Sequence, residues 1–205
     1  MRKTTLVILM AAFTCLNGSA FERYAFMGGF SSQNPTGGLK LEPANNIQLG
    51  VGIEAVRDLV LMLKMDVPVQ YNSSSYPLKV NINGAESSLH FRKFTAYNIM
   101  IAANYILPVY FSDRLSPKIF GGLGLYWLYN SQASIIYPNV IFQGLGPEFG
   151  MGITYKIKRN IWLDFTTSIK MPTYIEYKVE GTPKTAVGVD EQYIGVHIAL
   201  YYFVD

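Results

Sequence analysis

The sequence predicts an all-β fold, a single antiparallel up-and-down transmembrane β-barrel of about eight strands. Beyond residue 20 the chain alternates apolar and polar residues repeatedly, as two-sided strands do. Half of the 205 residues are hydrophobic and 15% are charged, against about 25% charged in average soluble domains. No later segment approaches the roughly 18 consecutive apolar residues of a transmembrane helix. A closed barrel is then the remaining way to span a membrane.

The first 20 residues have the pattern of a cleaved export signal. Arg2 and Lys3 form a short positive region, an apolar run follows, and Gly-Ser-Ala at 18–20 supplies small residues for cleavage. An uncleaved anchor is the alternative, although the apolar run is too short to span a bilayer. Cys15 raises a lipoprotein signal as a third option, which the residues before it fit poorly. We expect a signal peptide at 1–20 and one barrel domain at 21–205.

The mature chain has little net charge and no cysteine. Cleavage after residue 20 leaves 15 basic and 14 acidic residues, so the apparent basicity of the precursor comes largely from the signal. This balance gives no basis for nucleic-acid binding. The only cysteine leaves with the signal, so no disulfide is expected.

The first four predicted strands each have one apolar face. In 24–32 that face is formed by Tyr24, Phe26, Gly28 and Phe30. In the second strand, apolar residues alternate with polar residues and glycines: Ile47, Leu49, Val51, Ile53 and Ala55 against Gln48, Gly50, Gly52 and Glu54. In 59–69 the odd positions are apolar and the even positions include two charged residues. The segment 91–111 is long for one strand and has apolar residues at odd positions from Tyr97 onward.

The last four predicted strands follow the same pattern. Odd-numbered positions form the apolar or aromatic face of 119–129, 149–157 and 161–171. In the closing strand, 193–205, the even-numbered positions form that face, and its other face mixes small, polar and aromatic residues. This alternation predicts that Tyr202, rather than Phe203, faces lipid. The closing strand is expected to pair with 24–32 and so complete the barrel.

The connections between these strands alternate in length. Outer-membrane barrels have short periplasmic turns and longer outer loops, so both termini are expected on the periplasmic side. The long polar connections are predicted at 33–46, 72–88 (with a short hairpin within 78–84), 130–146 and 172–192, and the short ones at 57–58, 112–117 and 158–160.

The polar face of the strands is predicted to point into the barrel. A water-soluble, lipocalin-like barrel is the alternative, and it would bury the apolar face instead. Glycines on the polar face gain nothing in water, whereas the interior of an eight-stranded barrel is crowded with side chains. Buried charges must pair, so the charged residues of this face are expected to form a lumen network, either a structural plug or a gate with exchangeable pairs. Its members are Glu54, Lys64, Asp66, Arg92, Glu148, Asp164 and Lys170.

Aromatic residues near the predicted strand ends fit the two interfaces of a membrane, where amphipathic rings are favoured. Their number near strand ends carries the argument, since each one alone is explained by packing. They are Tyr71, Phe111, Trp127, Tyr129, Tyr155, Tyr174 and Tyr202.

The export signal, the segments 107–111 and 118–125 and the aromatic closing strand together resemble the outer-membrane β-barrel domain family. That family includes the transmembrane domain of outer membrane protein A and OmpW-like proteins, and the resemblance covers 21–205. It implies the outer membrane of a Gram-negative-type bacterium, contact with outer-membrane lipid and insertion by the barrel-assembly machinery through the C-terminal strand. The family typically ends in an outward aromatic residue, whereas here Val204 and Asp205 follow Phe203.

No catalytic, cofactor-binding or metal-binding residue is predicted. Two separated histidines and no mature cysteine make no zinc site. His90 is expected at a loop–strand junction and His197 as a hydrogen-bonded lumen residue, and neither has the His-x-Ser neighbour of the lipid A deacylase barrels. The glycine pairs at 144–146 and 150–152 precede no helix and form no phosphate-binding loop.

Three classes of function are compatible with this pattern. We expect a non-enzymatic structural or surface protein, an antigen or adhesin that meets an extracellular ligand or host surface through its outer loops. The alternative is a narrow pore or an OmpW-like channel for small hydrophobic solutes. A lipid-modifying barrel enzyme is the third class.

Overall fold

Antiparallel β-strands make up most of the chain in a computed structural model that describes residues 23–37, 41–69, 78–82, 85–89, 94–109, 111–112, 114–130, 140–179 and 183–204. The predicted signal at 1–20 lies outside these residues. No described segment is a helix long and apolar enough to cross a membrane. The strands are β1 (Arg23–Pro35), β2 (Ala44–Val56), β3 (Leu59–Pro68), β4 (Leu78–Ile82), β5 (Ala85–Leu89), β6 (Phe94–Ile106), β7 (Leu115–Asn130), β8 (Val140–Lys158), β9 (Ile161–Lys170), β10 (Thr173–Val179), β11 (Thr185–Asp190) and β12 (Tyr193–Val204).

Eight of these strands close into a barrel. Their order around the wall is β1-β2-β3-β6-β7-β8-β9-β12, and β12 pairs with β1. Every neighbouring pair is antiparallel. Tyr24 stands opposite Val204, so the two ends of the described chain meet at the same end of the barrel as the short turns. The predicted eight-stranded antiparallel barrel, closed by its first and last strands, is confirmed.

The wall of the barrel is apolar outside and polar inside. In β12, Tyr202 is 48% exposed while Phe203 is 2% exposed, which confirms the predicted phase of the closing strand. The same alternation places large aliphatic and aromatic residues on the exterior of all eight barrel strands. A belt of this extent suits hydrocarbon and not water. Ile53 departs from the pattern: it is 4% exposed, although Val51 of the same strand, which also lies between two apolar neighbours, is 47% exposed.

Two predicted strand limits at the turn end were wrong. The segment predicted as a strand to residue 111 ends at Ile106, since Pro108 cannot donate to a ladder. Leu107 instead donates its N–H to the carbonyl of Pro117 in β7. β7 begins at Leu115, inside the predicted turn 112–117.

The long connections contain more strand than the sequence predicted. β4 and β5 form the hairpin expected near 78–84, extended to residue 89. β8 begins at Val140, and β10 and β11 occupy most of the predicted loop 172–192. The glycines at 144 and 146 were predicted to lie in a loop. In the structure they lie in β8, so close to the backbone at 171–174 that a Cβ atom at either position would collide with it. They are therefore strand residues that permit close pairing.

β10 continues the line of β9 along β8 after the break at Met171 and Pro172. β11 pairs with β10 and leads into β12 through residues 191–192. The wall is therefore extended at the end opposite the short turns by the β10–β11 hairpin, which we call the outer hairpin.

Candidate functional site

The interior of the barrel is the candidate site, and its first layer lies at the turn end. Arg23 Nη2 is 2.6 Å from Glu54 Oε2, and both side chains are almost fully buried. Arg23 also lies against the rings of Phe203 and Trp162, with its guanidinium carbon 4.5 and 5.4 Å from their centroids. Lys156 Nζ is 2.8 Å from Asp58 Oδ1, in the same layer. Two ion pairs packed on aromatic rings thus line this mouth of the barrel.

The second layer joins β7, β8, β9 and β12. The ammonium of Lys118 donates to Asp164 and, at 3.1 Å, to the hydroxyl of Tyr201. Thr154 Oγ1 donates to the other oxygen of Asp164 at 2.7 Å. All four side chains are buried. The carboxylate of Asp164 is therefore paired and hydrogen-bonded, as a charge removed from water requires.

The third layer is centred on Asp66. This carboxylate accepts hydrogen bonds from Gln48 Nε2 at 2.8 Å, Asn98 Nδ2 at 2.9 Å and Gln33 Nε2 at 3.1 Å. Lys170 donates to it as well, and Lys170 Nζ is 3.8 Å from Glu148 Oε2. The donors come from β1, β2, β6 and β9, so one carboxylate ties four strands together across the lumen.

Lys64 and His197 lie between these layers. Lys64 Nζ is 4.6 Å from the ring centroid of Phe120 and makes no ion pair within 4.0 Å with a described carboxylate. His197 Nε2 is 2.6 Å from Ser168 Oγ and 3.7 Å from Glu148 Oε1. The face of a buried aromatic ring attracts an ammonium group through a cation–π interaction. Lys64 is thus the member of the network with the fewest fixed partners among the described residues.

An apolar cluster fills the outer mouth above Asp66. Tyr174 Oη is 3.2 Å from Tyr193 Oη, and the ring of Phe142 packs against those of Tyr174 and Tyr177. Tyr174 is 1% exposed, so its predicted place at a membrane interface was wrong: it points inward from β10. The cluster comprises Leu41, Tyr126, Leu128, Val140, Phe142, Tyr174, Tyr177 and Tyr193.

The described part of the lumen has little free volume beside the third layer. Around Asp66, Asn98 and Tyr174 a cavity of about 10 Å³ remains, which is at most the room of one water molecule. Glycines on the inner face give space to larger neighbours. For example, a Cβ on Gly150 would meet the ring of Phe120. The arrangement of the described side chains can hold strands in register, and the cavity it leaves beside Asp66 is too small for a solute.

The structure places six of the seven residues of the predicted lumen network inside the barrel. Asp66, Glu148 and Lys170 come together in one layer, whereas Glu54 and Asp164 belong to the two separate layers nearer the turns. Lys64 lies between these groups. Arg92 lies outside the described residues. The predicted set therefore forms several distinct pairs, with partners that the sequence did not identify.

Sequence reasoning missed Arg23 and Lys118 as partners of Glu54 and Asp164. Arg23 precedes the predicted first strand by one residue. Lys118 stands at an even position of β7, one residue before the predicted start of that strand. The signal was available in both cases: extending each alternation by one residue places both side chains on the inner face.

The Ser168–His197–Glu148 contact is not arranged for nucleophilic catalysis. In a catalytic triad the serine and the carboxylate contact different nitrogens of the imidazole. Here both approach Nε2, and Nδ1 has no hydrogen-bond partner. All three side chains are buried within the filled lumen, so these residues are positioned for packing. His90 lies outside the described residues.

Comparison with known proteins supports the fold at low sequence identity. No family model matches the chain, and no curated protein matches it. Among solved structures it is similar to Neisserial surface protein A, NspA, with 13% identity and a TM-score of 0.58 over 86% of this chain and 95% of that one. It is also similar to Ail of Yersinia pestis in complex with the heparin analogue sucrose octasulfate, with 11% identity, a TM-score of 0.50 and coverage of 89% and 99%.

Outer membrane protein W of E. coli is a third similar structure. It shares 13% identity with a TM-score of 0.50, over 90% of this chain and 99% of that one. The chain therefore has the fold of the small eight-stranded outer-membrane barrels.

Proposed function

We propose that this protein is a non-enzymatic, integral outer-membrane barrel that acts at the cell surface through its outer connections, as an antigen or adhesin. The observation that carries the proposal is the filled lumen. Ion pairs, hydrogen bonds and an aromatic cluster occupy successive levels of the described interior, which argues for a structural plug. The surface available to a partner is then the outer end, where an extracellular ligand or host surface would bind.

The outer hairpin supports this proposal because its exterior carries several hydrogen-bonded polar side chains. Lys184 pairs with Glu176 and lies 3.2 Å from Gln143 Oε1 of β8, and Thr173 Oγ1 donates to Asp190 at 2.7 Å. Polar, hydrogen-bonded side chains suit water and adaptable contacts. The same fold occurs in a protein named for its surface location, and in another solved in complex with a heparin analogue.

Outer-membrane placement is part of the same proposal. The apolar exterior implies lipid as its surrounding, and the fold is that of outer-membrane barrels. We propose export through cleavage of the segment 1–20, and insertion by the barrel-assembly machinery through β12. The outward ring of Tyr202 near the end of β12 is the feature this machinery would read.

Shortening the outer hairpin tests the surface role. Replacing residues 175–188 by Asn-Gly joins Tyr174 to Val189 through a two-residue turn and keeps all eight barrel strands. We expect this variant to insert normally, shown by heat-modifiable mobility on gels, and to lose adhesion of displaying cells to host-cell or matrix surfaces. Lys158→Gln/Arg159→Gln, at the opposite end, is the control and should adhere normally. Cells that display the shortened variant and adhere as well as cells that display the full-length protein would contradict the proposal.

A narrow pore is the second candidate, and Lys64 is the observation that favours it. Its ammonium contacts a ring rather than a described carboxylate, so it can move without breaking an ion pair. Movement of Lys64 and Phe120 would open space in the middle of the lumen, as a channel for small solutes would need. Lys64→Ala tests this idea: conductance that appears or rises in planar bilayers supports a pore, and silence of both wild type and variant counts against it.

A further inference from the structure

Six basic residues gather at the turn end of the barrel. They surround two open cavities of about 480 and 350 Å³ that share Arg23, Lys156, Arg159 and Trp162. The smaller cavity adds Arg114, Ile157 and Lys158, and no described acidic residue lines it. The six are Arg23, Arg57, Arg114, Lys156, Lys158 and Arg159.

Three of these cations have no ion pair with a described residue. Arg23 is neutralised by Glu54, Lys156 by Asp58, and Arg57 lies 3.7 Å from Asp58. No carboxylate of the described residues lies within 4.0 Å of the charged groups of Arg114, Lys158 or Arg159, and all three are exposed. Asp113 and Asp205 lie outside the described residues. Three adjacent unpaired cations form a site for a negative group.

Hydrogen bonds hold the backbone at two of these three residues. Arg23 Nη1 donates to the carbonyl of Arg159 at 2.6 Å, and the N–H of Lys156 donates to the carbonyl of Arg114 at 2.8 Å. The β8–β9 turn and the connection before β7 are thereby tied to the buried Arg23–Glu54 and Lys156–Asp58 pairs. The backbone beside the site is thus held in place before binding, which lowers the entropy lost in ordering the two connections.

The lipid-facing surface beside this site is apolar and aromatic. Tyr155 and Ile157 of β8 point outward directly before Lys158, and Tyr24, Tyr105 and Tyr202 are also exposed near this end. Rings of this kind mark the headgroup level of a membrane. The unpaired cations thus lie at headgroup level, with a hydrocarbon-facing surface immediately beside them.

We propose that the turn end binds an anionic phospholipid. Its phosphate lies among Arg114, Lys158 and Arg159, and an acyl chain runs along Tyr155 and Ile157. Basic residues at a membrane surface attract anionic headgroups, and the adjacent apolar face distinguishes a lipid from a free phosphate. This inference rests on the membrane placement proposed above and not on the role of the outer hairpin.

Lipid retention by the inserted protein tests the proposal. The mature chain is reconstituted in nanodiscs of phosphatidylcholine with 10% phosphatidylglycerol, then released for native mass spectrometry. We expect wild type to retain phosphatidylglycerol and Lys158→Gln/Arg159→Gln to retain at least about fivefold less of it. Each basic residue near the membrane surface changes the binding of an anionic lipid by about a factor of five. Lys178→Gln/Lys184→Gln removes the same charge at the outer end and should behave as wild type.

Arg114 lies on a different connection, so Arg114→Gln gives an independent measurement and should also lower retention of phosphatidylglycerol. This variant keeps the proposal testable if the double variant fails to fold. Equal retention of phosphatidylglycerol by wild type and by Arg114→Gln or the folded double variant overturns the proposal. Retention of the two lipids by wild type in the same proportion as in the nanodisc overturns it as well. Heat-modifiable mobility of the same samples reports insertion separately. A chain that does not insert contradicts the membrane placement instead of the lipid site.

Discussion

Asp66 shows how one carboxylate holds a narrow barrel together. It accepts hydrogen bonds from three amides and an ammonium on four strands, and it is 3% exposed. A buried charge is stable only when its lone pairs are occupied in this way. Among the described carboxylates, replacing the acid leaves Lys170 with Glu148 alone, at 3.8 Å. The interior layer around Asp66 is therefore the part of the plug most sensitive to a single substitution.

We expect Asp66→Ala to lower the free energy of unfolding by about 3–5 kcal/mol, because it leaves a buried ammonium poorly compensated. Urea unfolding in lipid vesicles, followed by tryptophan fluorescence, measures the change. Asp190→Ala is the matched control: it removes an exposed carboxylate from the outer hairpin and should change stability by at most about 0.5 kcal/mol. Equal effects of the two substitutions contradict a structural role for Asp66.

Two glycines give a second contrast at the scale of single residues. A Cβ on Gly152 would lie 2.6 Å from Thr166 Cα and would also collide with the carbonyl of Phe165, whereas a Cβ on Gly28 meets nothing within 4 Å. We expect Gly152→Ala to destabilise the barrel by about 1–3 kcal/mol, since the backbone of β9 must move. Gly28→Ala should be neutral or stabilising. The same unfolding measurement checks both, and similar values for the two would contradict this close approach of β8 and β9.

The residue pattern predicted which side chains point inward better than which ones meet. Alternation along a strand fixes the face of Glu54, Asp66 or Asp164. Their partners depend on the stagger between neighbouring strands and on contacts across the lumen, as when Lys118 of β7 reaches Asp164 of β9. Neither is encoded in a local pattern. The lumen charges were therefore predictable one by one, and their pairing was not.

Among the elements, β12 tests most directly whether the barrel faces lipid. Its even positions are exposed and its odd positions buried along the whole strand. In water, an exposed position such as Ile198 would tolerate a charge. In a bilayer the same position faces hydrocarbon, where a lysine is expensive.

Ile198→Lys is therefore expected to destabilise the protein by about 2–4 kcal/mol in vesicles. Ala186→Lys, at an exposed position of the outer hairpin, is the control and should change stability by at most about 0.5 kcal/mol. Equilibrium unfolding in the same vesicles compares them. Tolerance of Ile198→Lys would contradict the assignment of this face to lipid.

The elements that sequence analysis missed lie where strands pass beyond the apolar belt. β11 contains the turn-forming residues Gly188 and Asp190. The pairing of β10 with β11 has a bulge between Tyr174 and Glu176 that breaks the alternation. Gly144 and Gly146 likewise read as loop, although close pairing with 171–174 requires them. A period-two pattern identifies a strand whose two faces lie in different environments. The outer hairpin has no uniformly lipid-facing side, so its sequence does not show this pattern clearly.

At the scale of the whole molecule, the barrel is apolar outside and charge-balanced inside. Across the three layers and Lys64, five cations stand against five carboxylates: Arg23, Lys64, Lys118, Lys156 and Lys170 against Glu54, Asp58, Asp66, Glu148 and Asp164. Balance permits these groups to be buried without net charge, and the aromatic cluster closes the outer mouth above them. Composition, the alternation of apolar and polar residues, and the alternating loop lengths were enough to predict this architecture, because each of these features is determined by all eight barrel strands together.

Single-channel recording tests the central claim, a lumen closed by packed side chains, most directly. The mature protein is inserted into planar bilayers at about 1 M KCl, where screening weakens exposed charge interactions far more than buried ones. Insertion is verified by heat-modifiable mobility of the same preparation. The filled lumen predicts no conductance steps from the wild-type protein. Reproducible single-channel steps of uniform size would contradict it and establish an open path through the barrel.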